Sequence, residues 1–179
     1  MGGANQQERL YDSEEARWFL AGFIEGEGSL TVSVKAHPTA KFGFYVDPEF
    51  FLYQHVSGQR LLEFAQYVFH TGRIFPKPGN PNVLTFAVTD RRSMTEQVVP
   101  FFEKYVVPFS CKAATFECFK EILDKMNRKE HHDPQGLVQI VEIAYRMNPA
   151  SKGRERLRPI EVVRDRILRD YTQNTRKDG

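Results

Sequence analysis

The chain has 179 residues, enough to bury one sizeable core, and its 41% apolar and 27% charged residues are those of a soluble globular domain rather than a disordered chain. A formal net charge of +2 singles out no partner, and no apolar run is long enough to span a bilayer. The only cysteines, Cys111 and Cys118, form no CxxC pair; this argues against a cysteine zinc site, and both read as reduced, buried thiols of an intracellular protein.

In chain order, residues 1–12, MGGANQQERLYD, form a polar lead-in with no apolar signal core. Asp12 or Ser13 can cap a first helix, with Glu14 and Glu15 suited to its first turn. Trp18, Phe19, Leu20, Phe23 and Ile24 give that helix its apolar surface, Ala21 and Gly22 leave a notch for a second backbone, and Gly26 is placed to end it. From Leu30 the period changes to two, predicting a strand with Leu30, Val32 and Val34 on one face and Thr31, Ser33 and Lys35 on the other. After the connection AHPTAKFG comes a second strand, FYVDPEFFLYQ, with Val46, Pro48, Phe50 and Leu52 on one face; Pro48 points to an edge or a bulge.

SGQRLLEFAQYVFHTG predicts a second helix that buries Leu61, Leu62, Ala65, Val68 and Phe69 and ends at Gly72. RIFPK and VLTFAVT then form a hairpin around PGNPN. Asp90 caps a helix to about Tyr105, a longer helix runs from about Ala113 to Met126, HHDPQG breaks the chain, LVQIVEIAYRM is helical, and Pro159 opens a last helix, IEVVRDRILRDY. The fold class is α+β, a one-sided antiparallel sheet covered by helices with its polar face open. One domain is expected over 13–171, with 172–179 as a tail.

Two stretches remain unexplained by packing. EGEG, Glu25 to Gly28, puts two carboxylates where the helix dipole is already negative, disfavoured by roughly 0.3–1 kcal/mol each. A solubilising linker accounts for it; so does a hard divalent cation held by carboxylate and carbonyl oxygens. SKGRERLR carries Lys152, Arg154, Arg156 and Arg158 against one acid, which suits either a solvated loop or a phosphate-contacting segment. His131 and His132 sit in a polar link without further ligands and read as exposed loop histidines.

LAGFIEGEG, Leu20 to Gly28, resembles the signature of the LAGLIDADG homing endonucleases over all nine positions. The element order matches that family's αββαββα core, and MNPASKGRERLRP is similar to its basic loop before the last helix, so the resemblance spans about Ser13 to Tyr171. The resemblance implies that Glu27 is the metal-binding acid, helped by the carbonyl of Gly26, with Glu25 in the more structural acidic position. It implies a motif helix packed on a second copy of itself through Leu20, Ala21, Gly22 and Ile24. Gln54 corresponds to the polar strand-end residue near the scissile phosphate, although a strand-end cap explains it equally. Lys112 corresponds to the lysine that organises water, with Lys104 as the alternative.

The open sheet face is implied to lie along the DNA major groove. Thr31, Ser33, Lys35, His37, Tyr45, Asp47, Glu49, Arg73, Lys77 and Thr85 would then read bases, and Lys152, Arg154, Arg156 and Arg158 would hold phosphates. The implied activity is site-specific double-strand cleavage of a long pseudo-palindromic site by a homodimer, since one motif per chain supplies one acid. The implied cofactor is Mg2+, with Mn2+ able to substitute and Ca2+ binding without cleavage. An alternative within the same fold is a maturase that binds its host-intron RNA. The expected location is the cytoplasm of a prokaryote or the inside of an organelle, with no membrane partner.

Overall fold

The computed structural model describes residues 10–147 and 158–175. The elements are α1 (Glu14–Glu27), β1 (Gly28–Ala36), β2 (Phe44–His55), α2 (Gln59–Phe69), β3 (Arg73–Lys77) and β4 (Asn80–Val88). They are followed by the helical stretch α3 over residues 91–106, then α4 (Ala113–Asn127), α5 (Pro134–Met147) and α6 (Ile160–Thr175). The strands form one antiparallel sheet in the order β1-β2-β4-β3. The described residues fall into two compact units, one drawn from 1–30 and 49–113, the other from 31–48 and 114–179.

In the first unit, Ser13 caps α1 by accepting from the Ala16 N–H at 3.1 Å. The helix does not stop at Gly26. It runs through Glu27 and passes directly into β1, with the Gly28 N–H closing onto the Ile24 carbonyl. Gly28 is the glycine this junction requires: a Cβ there would lie 2.4 Å from the Ile24 carbonyl oxygen. α2 buries Leu62, Phe64, Ala65 and Phe69, so the stripe includes Phe64 rather than Leu61 and Val68. It ends at His70, whose φ of 51° is left-handed, two residues before the expected Gly72.

The unit's core is aromatic. Phe50 meets Phe69, Phe86 and Phe102 edge-on at 5.6, 6.3 and 5.3 Å between ring centres. Each such buried ring contributes roughly 1.5–3 kcal/mol by leaving water. Asp90 caps α3 by accepting from Ser93 N–H at 2.7 Å, as its position in the sequence predicts. α3 is π-helical at Met94–Val98 and Phe102–Val106, on either side of Pro100, which has no N–H to donate within a helix.

The β2–β4 ladder begins at Phe50 opposite Val88, the last residue of β4, so Pro48 lies beyond that ladder although β2 is an inner strand of the sheet. On that side Pro48 faces no strand and needs no donor, so the position is locally that of an edge, as expected for proline in a strand.

In the second unit, α4 buries Phe116, Phe119, Ile122 and Leu123, and α5 buries Leu137, Val138, Ile140, Val141 and Ala144, both at helical spacing. α6 adds Val163 and Ile167. The Arg166 guanidinium lies 5.3 Å from the Phe44 ring centre. Among the described residues, no helix is long and apolar enough to cross a membrane.

Candidate functional site

The acidic end of α1 is answered by a single lysine. α1 has no basic residue in its last turn. Lys112, from the segment before α4, reaches back to donate its ammonium hydrogens to the carbonyls of Glu25 and Gly28, the latter at 3.0 Å. These carbonyls flank Glu27 on both sides. One cation thus satisfies an orphan carbonyl at the helix terminus and opposes its negative end. The Glu27 side chain remains exposed.

Glu25 has a different task. Its carboxylate accepts from the Ser110 hydroxyl, the Cys111 N–H at 3.3 Å and the Cys111 thiol at 3.1 Å. Ser110 Oγ in turn accepts from the Lys112 N–H at 2.9 Å. Burial opposes ionisation of Glu25 most strongly, but the Ser110 and Cys111 hydrogen bonds and the Lys112 charge together hold its carboxyl below the ordinary value. Conversely, the Glu25 hydrogen bond and charge push the Cys111 thiol up. Cys111 is exposed rather than buried, because it belongs to this clamp and not to a helix face.

Lys104, the alternative to Lys112, is committed elsewhere: it pairs with Glu14 at 3.2 Å, beside a Tyr105 hydroxyl that donates to the same carboxylate at 2.9 Å. Gln54 turns its carboxamide oxygen onto the His55 N–H at 2.8 Å. It fills the space over Gly58, where a Cβ would lie 2.5 Å from Gln54 Cγ. No hydrogen bond among the described residues joins it to the Glu25–Lys112 cluster, and its geometry is that of a strand-end cap.

The expected base readers separate into groups. Thr31, Ser33, Asp47 and Glu49 are half-buried; Lys35, His37, Tyr45, Arg73 and Lys77 are exposed. Asp47 pairs with Lys35 at 3.0 Å. His37 and the Tyr45 hydroxyl are bridged by the Thr39 hydroxyl, at 2.8 and 3.4 Å. Thr85 is not a surface residue. It is 3% exposed, sits in register between Tyr53 of β2 and Phe75 of β3, and its hydroxyl has no partner among the described residues. A central strand flanked by two rings hides it. Arg158 is exposed and its carbonyl accepts from the Tyr145 hydroxyl at 3.0 Å. Lys152, Arg154 and Arg156 lie outside the described residues.

The family model for the LAGLIDADG endonuclease matches residues 20–123. This chain belongs to the LAGLIDADG endonuclease family. Among curated relatives, the DNA endonuclease I-CeuI of Chlamydomonas moewusii is 44% identical over 135 residues, covering 74% of this chain and 62% of the relative. The homing endonuclease I-ApeII of Aeropyrum pernix is 26% identical, over 81% of this chain and 86% of that one. The match thus spans less than two thirds of the Chlamydomonas protein's length. The structure of I-CeuI complexed with DNA superposes with a TM-score of 0.82 at 37% identity, over 90% of this chain and 83% of that one. That of the archaeal I-Vdi141I complexed with DNA gives 0.81 at 28%, over 89% and 98%.

The LAGLIDADG helix α1 exposes a different face from the expected one. Leu20, Ala21 and Ile24 are 0, 4 and 1% exposed within the chain itself, because they supply its own core. Of the four residues expected at a helix–helix interface, only Gly22 is exposed. It shares its face with Phe19, 59% exposed, and Gly26; a Cβ at either glycine would meet open space. Trp18, part of the helix's apolar surface, is also 39% exposed.

Two features of this LAGLIDADG chain escaped the sequence reading. The Ser110–Cys111 clamp on Glu25 is 85 residues distant in sequence, and no local pattern announces it. The aromatic side of the sheet was signalled by FFLY, residues 50–53, whose outward-facing pair, Phe51 and Tyr53, is aromatic.

Proposed function

We propose that the chain is a divalent-metal-dependent, site-specific endonuclease of double-stranded DNA that acts as a homodimer. The observation that carries this is the exposed Glu27 carboxylate at the end of α1, bracketed by two carbonyls held by Lys112. The names of the relatives, which are DNA endonucleases, support cleavage over the maturase alternative, as does the retention of Glu27.

Among the described residues no cluster of three or more His, Cys, Asp or Glu side chains occurs. One chain therefore offers a metal little more than the Glu27 carboxylate and adjacent backbone oxygen such as that of Gly26. These are hard oxygen donors, and a site completed by phosphate oxygens and water suits Mg2+. Bound there, the metal would supply Lewis-acid activation of water and stabilisation of the leaving 3′ oxygen.

The protein's own residues do the rest. Glu27 provides the negative charge. Lys112 fixes the carbonyls on either side of it and places a cation near the approaching phosphate. Glu25 positions Lys112 through Ser110. Two copies related by a two-fold axis, meeting on the Phe19–Gly22–Gly26 face of α1, would present one Glu27 to each DNA strand.

The test is Glu27→Gln, which keeps the shape and removes the charge. Cleavage is expected to fall by orders of magnitude, while DNA binding without metal survives or tightens because a carboxylate no longer repels phosphate. Cleavage at the parent rate would overturn the assignment.

A further inference from the structure

The outer face of the first unit's sheet is aromatic at its centre and basic at its margin. The helices cover the face that carries Phe50, Leu52 and Phe86, as the Phe50 contacts with Phe69 and Phe102 show. The opposite face carries two cross-strand rows set by the register. One row is Phe51, Ala87 and Arg73; the next is Tyr53, Thr85 and Phe75. Phe51, Tyr53 and Phe75 are half-buried, Ala87 and Thr85 are covered, and Arg73 and Lys77 are exposed. The Phe51 and Tyr53 rings lie 6.1 Å apart and 26° from parallel.

We infer that this ridge makes Phe51, Tyr53 and Phe75 specificity-determining residues that read thymine by its methyl group. The inference rests on the endonuclease reading above and goes further by naming a base. Phe51 and Phe75 offer no hydrogen bonds and Tyr53 only its hydroxyl at the ring tip, so the ridge as a whole reads bases by apolar contact rather than by donor and acceptor pattern. The one apolar group on the major-groove edges of the four bases is the thymine C5-methyl. Arg73 and Lys77 at the margin supply charge complementary to a phosphate backbone.

The rings read a base edge, not a base face. The Lys77 ammonium lies 4.7 Å from the centre of the Tyr53 ring and occupies the position a stacked base would need. That disfavours a stacking platform for single strands, which depends on open ring faces. Residues two apart on a strand are separated by about 6.8 Å, close to two base-pair steps of roughly 3.4 Å. The ridge therefore calls for thymines about two steps apart in each half-site.

The experiment begins by selecting cleavable duplexes from a randomised library with the purified protein. Each thymine of the recovered site is then replaced by deoxyuridine, which deletes only the methyl group. At the ridge positions the expected loss of affinity is roughly fourfold per thymine, the equivalent of one buried methyl group. Phe75→Ser and Phe51→Ser should each remove that discrimination at its own position while leaving other positions of the site selected as before. Equal affinity for thymine and deoxyuridine at every position would overturn the inference while leaving the endonuclease reading intact. Tighter binding of single strands than of duplexes would overturn it in favour of stacking. Recovery of no cleavable duplex would remove the endonuclease reading and this inference together.

Discussion

Thr85 shows how a polar residue can be placed on a face by its period and still be misjudged in its exposure. Alternation puts Thr85 on the outer face, which is correct, but exposure depends on its cross-strand neighbours, and those are Tyr53 and Phe75. Its buried hydroxyl, without a partner among the described residues, costs about 1–3 kcal/mol. Thr85→Val should therefore raise the melting temperature by about 2–4 °C and leave the selected DNA site unchanged; a lower melting temperature would show that the hydroxyl is satisfied.

For Glu25 the sign follows from its lowered value. A carboxylate more acidic in the folded state stabilises that state above the unfolded value of about 4.3 and loses this contribution as pH falls through the folded value. The melting temperatures of the parent and Glu25→Gln should differ most near neutral pH and converge as the pH falls below the ordinary carboxylate range. The same substitution removes the group that suppresses the Cys111 thiolate, so alkylation of Cys111 by iodoacetamide should quicken. A pH-independent gap in melting temperature together with unchanged alkylation would dismiss the clamp.

At the scale of the element, most of the fold was legible because it is written in local pattern. The Ser13 and Asp90 caps, the change of period after Glu27, the Pro78–Gly79 turn and the helical spacing of α4 and α5 each appear within a few residues. What the pattern could not give was orientation. Leu20, Ala21 and Ile24 are apolar and small enough for either a core or an interface, and only the packed structure assigns them inward. The end of α1 was misread for a related reason. Gly26 is the better helix terminator by type, yet the fold uses Gly28, where the constraint is the approach of the Ile24 carbonyl rather than a left-handed backbone. The two carboxylates at that terminus were legible as an anomaly, whereas the cation that answers them comes from Lys112, 84 residues beyond Gly28.

At the scale of the whole molecule, the 179 residues carry one motif and one Glu27, so on the proposed reading a cut in both strands of a duplex would use two copies. The exposed Phe19 on the Gly22 and Gly26 face marks where they would meet. Phe19→Glu places like charges against each other across a two-fold axis. Sedimentation should show a dimer for the parent and a folded monomer for the variant, and double-strand cleavage should be lost with the dimer; a variant that remains dimeric would move the interface elsewhere.

The absence of any connection between α1 and β1 has a consequence for how such a protein can change over time. An insertion at this junction has no slack to absorb it, and a shift of one residue would turn every side chain of β1 to the opposite face. The segment 37–43 between β1 and β2 is a turn of several residues, with Ala40 and Phe42 buried and His37, Pro38 and Thr39 exposed, so a change of length at its exposed part does not alter the register of β1. On the proposed reading, new targets at the α1 end of β1 would be acquired by exchanging side chains in place, while the exposed part of the turn at the far end can take up a change of length, so a lineage of such proteins should vary in length at one end of the hairpin and only in spelling at the other.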